Sequence, residues 1–327
     1  MFMKKYLILV LFLFAIISCS KKSEIQKKVA EIPVSIKVDR YDKAFFETPP
    51  SELPKLKLQY PEFFPPSISD SILVDKMTNP LWRELYAEVE KRYGSFDKET
   101  TEIEDLFRYI KYYYPKTQIP KVYTVIQEMD TDYKVIYTEK ALIISLELYL
   151  GKNHKFYEFP NYMKQTFEPS QILPDIVESF SRTKVKPPVT KDLLSLMIYS
   201  GKQLYFNDVL LPEYSDGDKI CYTPEQLKYA QDNEANMWRF FIEEKLLYDT
   251  DAKLSQRFIS PSPFSKFGLI SDNETPGRIG AWFGLQIVRS FMKNNDIPMQ
   301  EMMAMDAAAI FQKSKYKPKN NYKLSPE

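Results

Sequence analysis

Few residues in this chain have both the type and the spacing for chemistry. Among 327 residues there is one histidine, His154. It lies in Gly151-Lys152-Asn153-His154-Lys155, a turn after an apolar segment, and reads as an exposed or hydrogen-bonded loop residue. A zinc site takes three or four His, Cys or acidic ligands. No His-Glu-x-x-His occurs, so no metal is expected. A serine hydrolase would have to use His154 as its base, and no Gly-x-Ser-x-Gly elbow is present. The absence of a phosphate loop and of a dinucleotide fingerprint leaves no cofactor to expect. Carboxylates remain. Asp208, Glu213, Asp216 and Asp218 cluster beside Gly217, where a calcium loop fits but a plain turn is the simpler account. Asp175, Glu178 and Glu234 are the candidates for acid–base work in a hydrolase.

The C-terminal half holds two stretches of unusual local chemistry. Glu234 and Trp238 stand one turn apart on a helical pattern and share a face. Thr275-Pro276-Gly277-Arg278-Ile279-Gly280-Ala281-Trp282-Phe283-Gly284 is the densest glycine cluster. Pro276-Gly277 makes a turn, and Gly280 and Gly284 lie four apart on one helix face, where small residues admit a neighbouring backbone. Arg278 near a helix start opposes the helix dipole, so a carboxylate partner is expected. Tight helix packing with a buried ion pair is the plain reading. A functional cluster of Glu234, Trp238, Gly277, Arg278, Gly280 and Gly284 is the sharper one.

The elements that must position these residues follow from periodicity and punctuation. Val34 to Arg40 alternates as a first strand. A proline-broken stretch from Pro49 to Pro66 reads as a long loop with short helical turns. Asn79-Pro80 caps a helix that runs to about Tyr93 and stops at Gly94. Lys98 to Tyr114 is a second helix with Ile103, Leu106, Phe107 and Ile110 on one face. Val122 to Met129 and Tyr133 to Thr138 read as two strands joined by Asp130-Thr131-Asp132, and Ala141 to Leu150 starts as a third. From Pro169 the pattern is helical: 169–183, 190–207, one long helix over 224–248, 278–294, and a short one over 299–312. The fold class is α+β, a small sheet in the first half packed on a mainly helical second half.

Composition bounds the partners. The formal charge is +1, from 45 basic and 44 acidic residues, which gives no electrostatic footprint for nucleic acid. Aromatic residues make up 15 %. Exposed aromatics favour interfaces, so Tyr60–Pro66, with Phe63-Phe64, and Pro261–Phe267 are the candidate binding loops; core packing is the alternative for each. Cys221, with no free thiol to pair with, reads as a small buried hydrophobe.

The N-terminus explains why no thiol is free. Lys4 and Lys5 precede an apolar run, Tyr6 to Ile17, that is shorter than the roughly 20 residues of a membrane span. Its length fits a secretory signal. It ends in Ile16-Ile17-Ser18-Cys19, which looks like the lipobox of bacterial lipoproteins, so Cys19 is the expected lipidation site and the membrane the expected partner. The resulting plan is a signal at 1–18, a polar tether at 19–32 and one globular domain at 33–327. Ser20-Lys21-Lys22-Ser23 carries no acidic run, which favours a periplasm-facing protein and leaves inner and outer membrane open.

Several stretches together resemble the GldB gliding-motility lipoproteins of Bacteroidetes. They are Met197-Ile198-Tyr199-Ser200-Gly201-Lys202-Gln203-Leu204-Tyr205, Asn233-Glu234 with Trp238, Arg257-Phe258-Ile259, Pro263-Phe264-Ser265-Lys266-Phe267, Pro276 to Gly280 running on through Ile287-Val288-Arg289-Ser290, and Ile310 to Lys319. The resemblance implies an envelope lipoprotein that supports gliding and type IX secretion, partnered by proteins of those machineries and without an established catalytic activity. More distantly the chain is similar to putative zinc proteases with a zincin-like core. There the counterpart of the metal-binding helix would be Gln171 to Phe180, with Pro174-Asp175-Ile176-Val177-Glu178 at the motif positions and Ser200-Gly201 further on. Both histidines and the motif glutamate are missing, which implies a degenerate core that lost its metal.

Overall fold

A computed structural model describes residues 24–319. The signal, the lipobox with Cys19, and residues 19–23 of the expected tether lie outside the described residues. The rest of that tether is not a free spacer. Residues Glu24–Ala30 form a helix, α1, with Val29 only 4 % exposed. Gln26 bonds Glu213 across 2.5 Å, so side chains as well as apolar contact dock the helix.

The first half builds a four-stranded sheet inside a shell of helices. A two-residue strand, β1 (Val38–Asp39), is all that forms of the expected 34–40 strand. Helices α2 (Tyr41–Glu47), α3 (Leu53–Gln59), α4 (Asp70–Thr78), α5 (Pro80–Tyr93) and α6 (Asp97–Tyr113) follow. The proline-broken stretch from Pro49 to Pro66 holds α3 between two short 3-10 turns, Pro50–Glu52 and Pro61–Phe63, and α4 follows it. Pro50, Pro54 and Pro61 each fall in a first helical turn, where a missing N–H costs nothing. Asn79 caps α5 by accepting from Leu81 N, a contact worth about 1 kcal/mol. Ile103, Leu106, Phe107 and Ile110 of α6 are all buried.

The sheet continues with β2 (Lys121–Val125), β3 (Val135–Tyr137) and β4 (Ala141–Ser145). Its order is β1-β2-β4-β3. β1 and β4 run parallel to β2, and β3 runs antiparallel to β4. β2 and β3, the two strands joined across residues 130–132, are not paired with each other. β4 inserts between them, pairing Lys121 with Ala141 and Val135 with Ile144. Val122 to Val125 are buried without alternation, as in a central strand covered on both faces.

The second half is helical: α7 (Asn161–Lys164), α8 (Ile172–Arg182), α9 (Leu193–Leu210), α10 (Asp216–Ile220), α11 (Pro224–Asp232), α12 (Glu234–Glu243), α13 (Ala252–Phe258), α14 (Ile279–Asn294), α15 (Met299–Ala304) and α16 (Ala307–Ser314). The helix expected over 224–248 is two, broken at Asn233, whose N–H closes α11 on Tyr229 O. The one expected over 299–312 is likewise split, and Asp306 caps its second part. α9 packs along both α8 and α14, and α8 covers the outer edge of the sheet at β3. One continuous apolar core joins sheet and helices.

Candidate functional site

A cleft of about 680 Å³ opens where α8, α9 and the edge strand β3 meet the loop that precedes α14. α8 is built for this position. Ile172, Leu173, Ile176, Val177 and Phe180 are buried on one side, which turns Asp175, Glu178 and Arg182 toward the cleft. α9 adds Ser200, Gln203, Leu204 and Asn207, β3 and its approach add Lys134 and Val135, and Lys219, Cys221 and Arg278 close the wall.

Most of the charge in this wall is paired within it. Lys134 Nζ donates to Asp175 Oδ2 across 2.5 Å and to Thr166 O across 2.8 Å, and Tyr149 OH donates to the same Asp175 oxygen across 2.6 Å. Burial raises the pKa of Asp175, opposed by Lys134 and Tyr149. Glu178 bonds Arg182 across 2.6 Å. Burial alone would raise Glu178 too, but the charges of Arg278 and Arg182 outweigh it and hold the carboxylate below its usual range. Lys219 lies 3.4 Å from Asp208, which also takes Arg289 at 2.6 Å. Cys221 is half-buried in the cleft wall, and burial pushes its thiol up to about 12. It stays protonated at neutral pH, so it is no nucleophile.

Arg278 is the exception. Its guanidinium makes no ion pair or hydrogen bond among the described residues, and its Nε is buried without a partner. The carboxylate expected beside it is not in contact: Glu178 feels Arg278 only through space and accepts its hydrogen bond from Arg182. Arg278 also sits at φ 59°, ψ 26°, the left-handed region that costs a residue with a side chain about 1–2 kcal/mol. The surroundings enforce it. Tyr222 OH donates to Gly277 O across 2.6 Å, Ser265 Oγ donates to Pro276 O across 2.7 Å and accepts from Ile279 N across 3.1 Å, and Thr275 Oγ1 donates to Ser265 O across 3.0 Å. A Cβ on Gly277 would stand 2.1 Å from Ser262 O. Met129, Cys221, Lys245 and Lys315 share the left-handed conformation, and of these Cys221 also lines the cleft.

A second unsatisfied atom belongs to the same cleft. Asn207 is 3 % exposed; its Nδ2 donates to Lys219 O across 2.9 Å, while its Oδ1 has no partner. The sequence signal for Asn207 is weak, an amide beside Asp208 in a helix that also holds Gln203. Lys134 carries no such signal, because its role depends on the fold bringing α8 to β3.

The other singled-out residues lie elsewhere. Glu234 opens α12 and accepts from Tyr316 OH across 2.6 Å, and Trp238 meets the Tyr316 ring edge-on at 5.2 Å. This pair fastens the C-terminal segment and does not line the cleft. Gly280 packs against Phe258 and Ile259 of the α13 end, and Gly284 against Met197 of α9. Of the six residues, only Arg278 lines the cleft. Asp208 and Asp216 both bond Arg289, and no group of three or more His, Cys, Asp or Glu among the described residues could hold a metal ion. His154 lies 3.4 Å from Glu88, with Nδ1 buried and unpartnered. Phe63 stacks on Tyr41 at 4.1 Å and Phe64 is buried, so this pair belongs to the core and is withdrawn as a binding surface.

Among the described residues no helix is long and apolar enough to cross a membrane. The described residues form an α+β body with a polar cleft in which Asp175 and Glu178 are ion-paired. The family model described as "Gliding motility protein GldB" matches residues 22–318, and the chain belongs to that family of gliding-motility lipoproteins. No curated protein and no solved structure matches it.

Proposed function

We propose that this protein is held on a membrane by lipid on Cys19, faces the periplasm, and supports gliding and type IX secretion by binding and stabilising a partner of those machineries without catalysing a reaction. The family match over residues 22–318 carries this reading. The cleft chemistry favours it over a hydrolase. A glycosidase or acid protease works with carboxylates free to exchange protons. Here Asp175 is held by Lys134 and Tyr149, Glu178 by Arg182, and Glu234 lies outside the cleft. The zincin-like ancestry belongs to the same proposal: α8 packs beside an antiparallel edge strand, with Asp175 and Glu178 facing the cleft.

The test is a mild-detergent pull-down of the tagged lipoprotein from its own cells, beside a Cys19→Ala strain. Stoichiometric recovery of gliding or secretion components, lost together with colony spreading in Cys19→Ala, is the expected result. Recovery of the lipoprotein alone from wild-type cells overturns the partner-binding reading.

A further inference from the structure

Four buried side-chain atoms lack a hydrogen-bond partner among the described residues, and two of them, Arg278 Nε and Asn207 Oδ1, belong to residues of one cleft. Buried polar groups are normally satisfied, so a pair left open around one cavity points to something that enters it. The two atoms differ in kind. Arg278 offers a planar fork of donors suited to a carboxylate, and Asn207 Oδ1 needs an N–H or O–H donor. The same cleft is lined by apolar Val135, Phe167, Leu204, Ile220 and Ile259. The buried cleft carboxylate Asp175 is paired with Lys134, Glu178 bonds Arg182, and Asp132 lies exposed at the rim, so Arg278 is the cleft cation without a hydrogen-bonded anion. The volume, about 680 Å³, falls within the range of pockets that enclose small ligands.

We propose that this cleft binds the free α-carboxylate end of a peptide with an apolar last residue, the carboxylate on Arg278, a peptide N–H on Asn207 Oδ1 and the terminal side chain on the apolar wall. A peptide end supplies carboxylate, amide N–H and apolar group within one residue, the combination these three features require. The left-handed backbone at Arg278 and the bonds from Tyr222, Ser265 and Thr275 fix its mount before the ligand arrives, which lowers the ordering cost of binding. The inference does not depend on the gliding role. The same chemistry is presented by a short free peptide and by the C-terminus of a protein.

Calorimetric titration of the full-length lipidated protein in detergent tests it, with N-acetyl-Gly-Leu, its C-terminal amide, acetate, and an acetylated hexapeptide ending in Gly-Leu as probes. The free-carboxylate dipeptide is expected to bind about tenfold or more tighter than the amide, since a hydrogen bond to a charged group is lost, and more tightly than acetate. Arg278→Gly, whose residue accepts the left-handed backbone, is expected to weaken the dipeptide about tenfold or more while circular dichroism and the melting temperature stay at or above wild type. Arg278→Lys keeps the charge, loses the fork and should fall between. A hexapeptide that binds tighter than the dipeptide identifies a protein tail as the natural occupant, and equal affinity identifies a small peptide. No binding of the dipeptide, equal binding of dipeptide and amide, acetate binding as tightly as the dipeptide, or an Arg278→Gly protein that is folded and binds like wild type each overturns the proposal.

Discussion

Gly201 and Gly284 mark the point where α9 and α14 touch backbone to backbone. A Cβ built on Gly201 would stand 2.1 Å from the Gly284 carbonyl carbon, and one on Gly284 would stand 1.7 Å from Met197 O. Neither obstacle is a flexible side chain, so the helices themselves must part. Gly284→Ala is therefore expected to cost about 3 kcal/mol or more, at or beyond the upper end of ordinary overpacking. Gly201→Ala should cost a similar amount. Urea unfolding of each variant measures it, and a loss below about 1 kcal/mol would show that the crossing yields.

Glu147 is fully buried, accepts from Gln127 N, and leaves its Oε2 without a partner. Burial raises its pKa from 4.5 to about 7, against the pull of backbone N–H groups and Lys76. A carboxyl whose folded pKa lies above its unfolded value binds more protons in the native state between those values. Stability should therefore fall as pH rises from 4.5 to about 7 and change little from this group above that. The span corresponds to about 3 kcal/mol. Glu147→Gln should flatten this stretch of the profile, read by chemical denaturation at stepped pH.

Tyr316 holds Glu234 through one hydrogen bond and meets Trp238 with its ring. Tyr316→Phe keeps the ring and removes the bond, leaving Glu234, 4 % exposed, short of a donor. A loss of about 2 kcal/mol is expected. Limited proteolysis should show earlier cleavage near the C-terminus than in wild type, and unchanged cleavage would remove the fastening role.

Arg278→Gly is expected to raise stability by about 1 kcal/mol, because glycine adopts the left-handed backbone without strain. Thermal melts decide this, and a clear fall would show that Arg278 makes a stabilising contact. Strain that is retained where glycine would fit supports a role for the guanidinium outside folding.

Features encoded close in sequence were legible, and those that depend on distant pairing were not. Asn79-Pro80 and the apolar face of α6 are complete local signals, and both helices formed close to their expected ends. The strand segments were readable from β-branched runs. Their order was not, because residues 130–132 make as good a turn whether β3 pairs with β2 or with β4. Asn233 was invisible as a break, since the apolar spacing continues across it. At the site, the Pro-Gly turn and a charge opposed to the helix dipole flagged Arg278. The lack of a bonded carboxylate beside it could not be read, because the nearest candidate, Glu178, reaches the cleft on a helix about a hundred residues earlier in the chain and is already bonded to Arg182.

Under the proposed lipid anchoring, the docking of α1 would set how the body sits above a membrane. On the proposed anchoring at Cys19, five peptide steps separate the acylated residue from Glu24, where the folded body begins. Fully stretched they reach about 18 Å. A leash of that length would give the domain little freedom to tumble. The face that carries α1, with Gln26 on Glu213 and Val29 buried, would rest near the headgroups at a short stand-off.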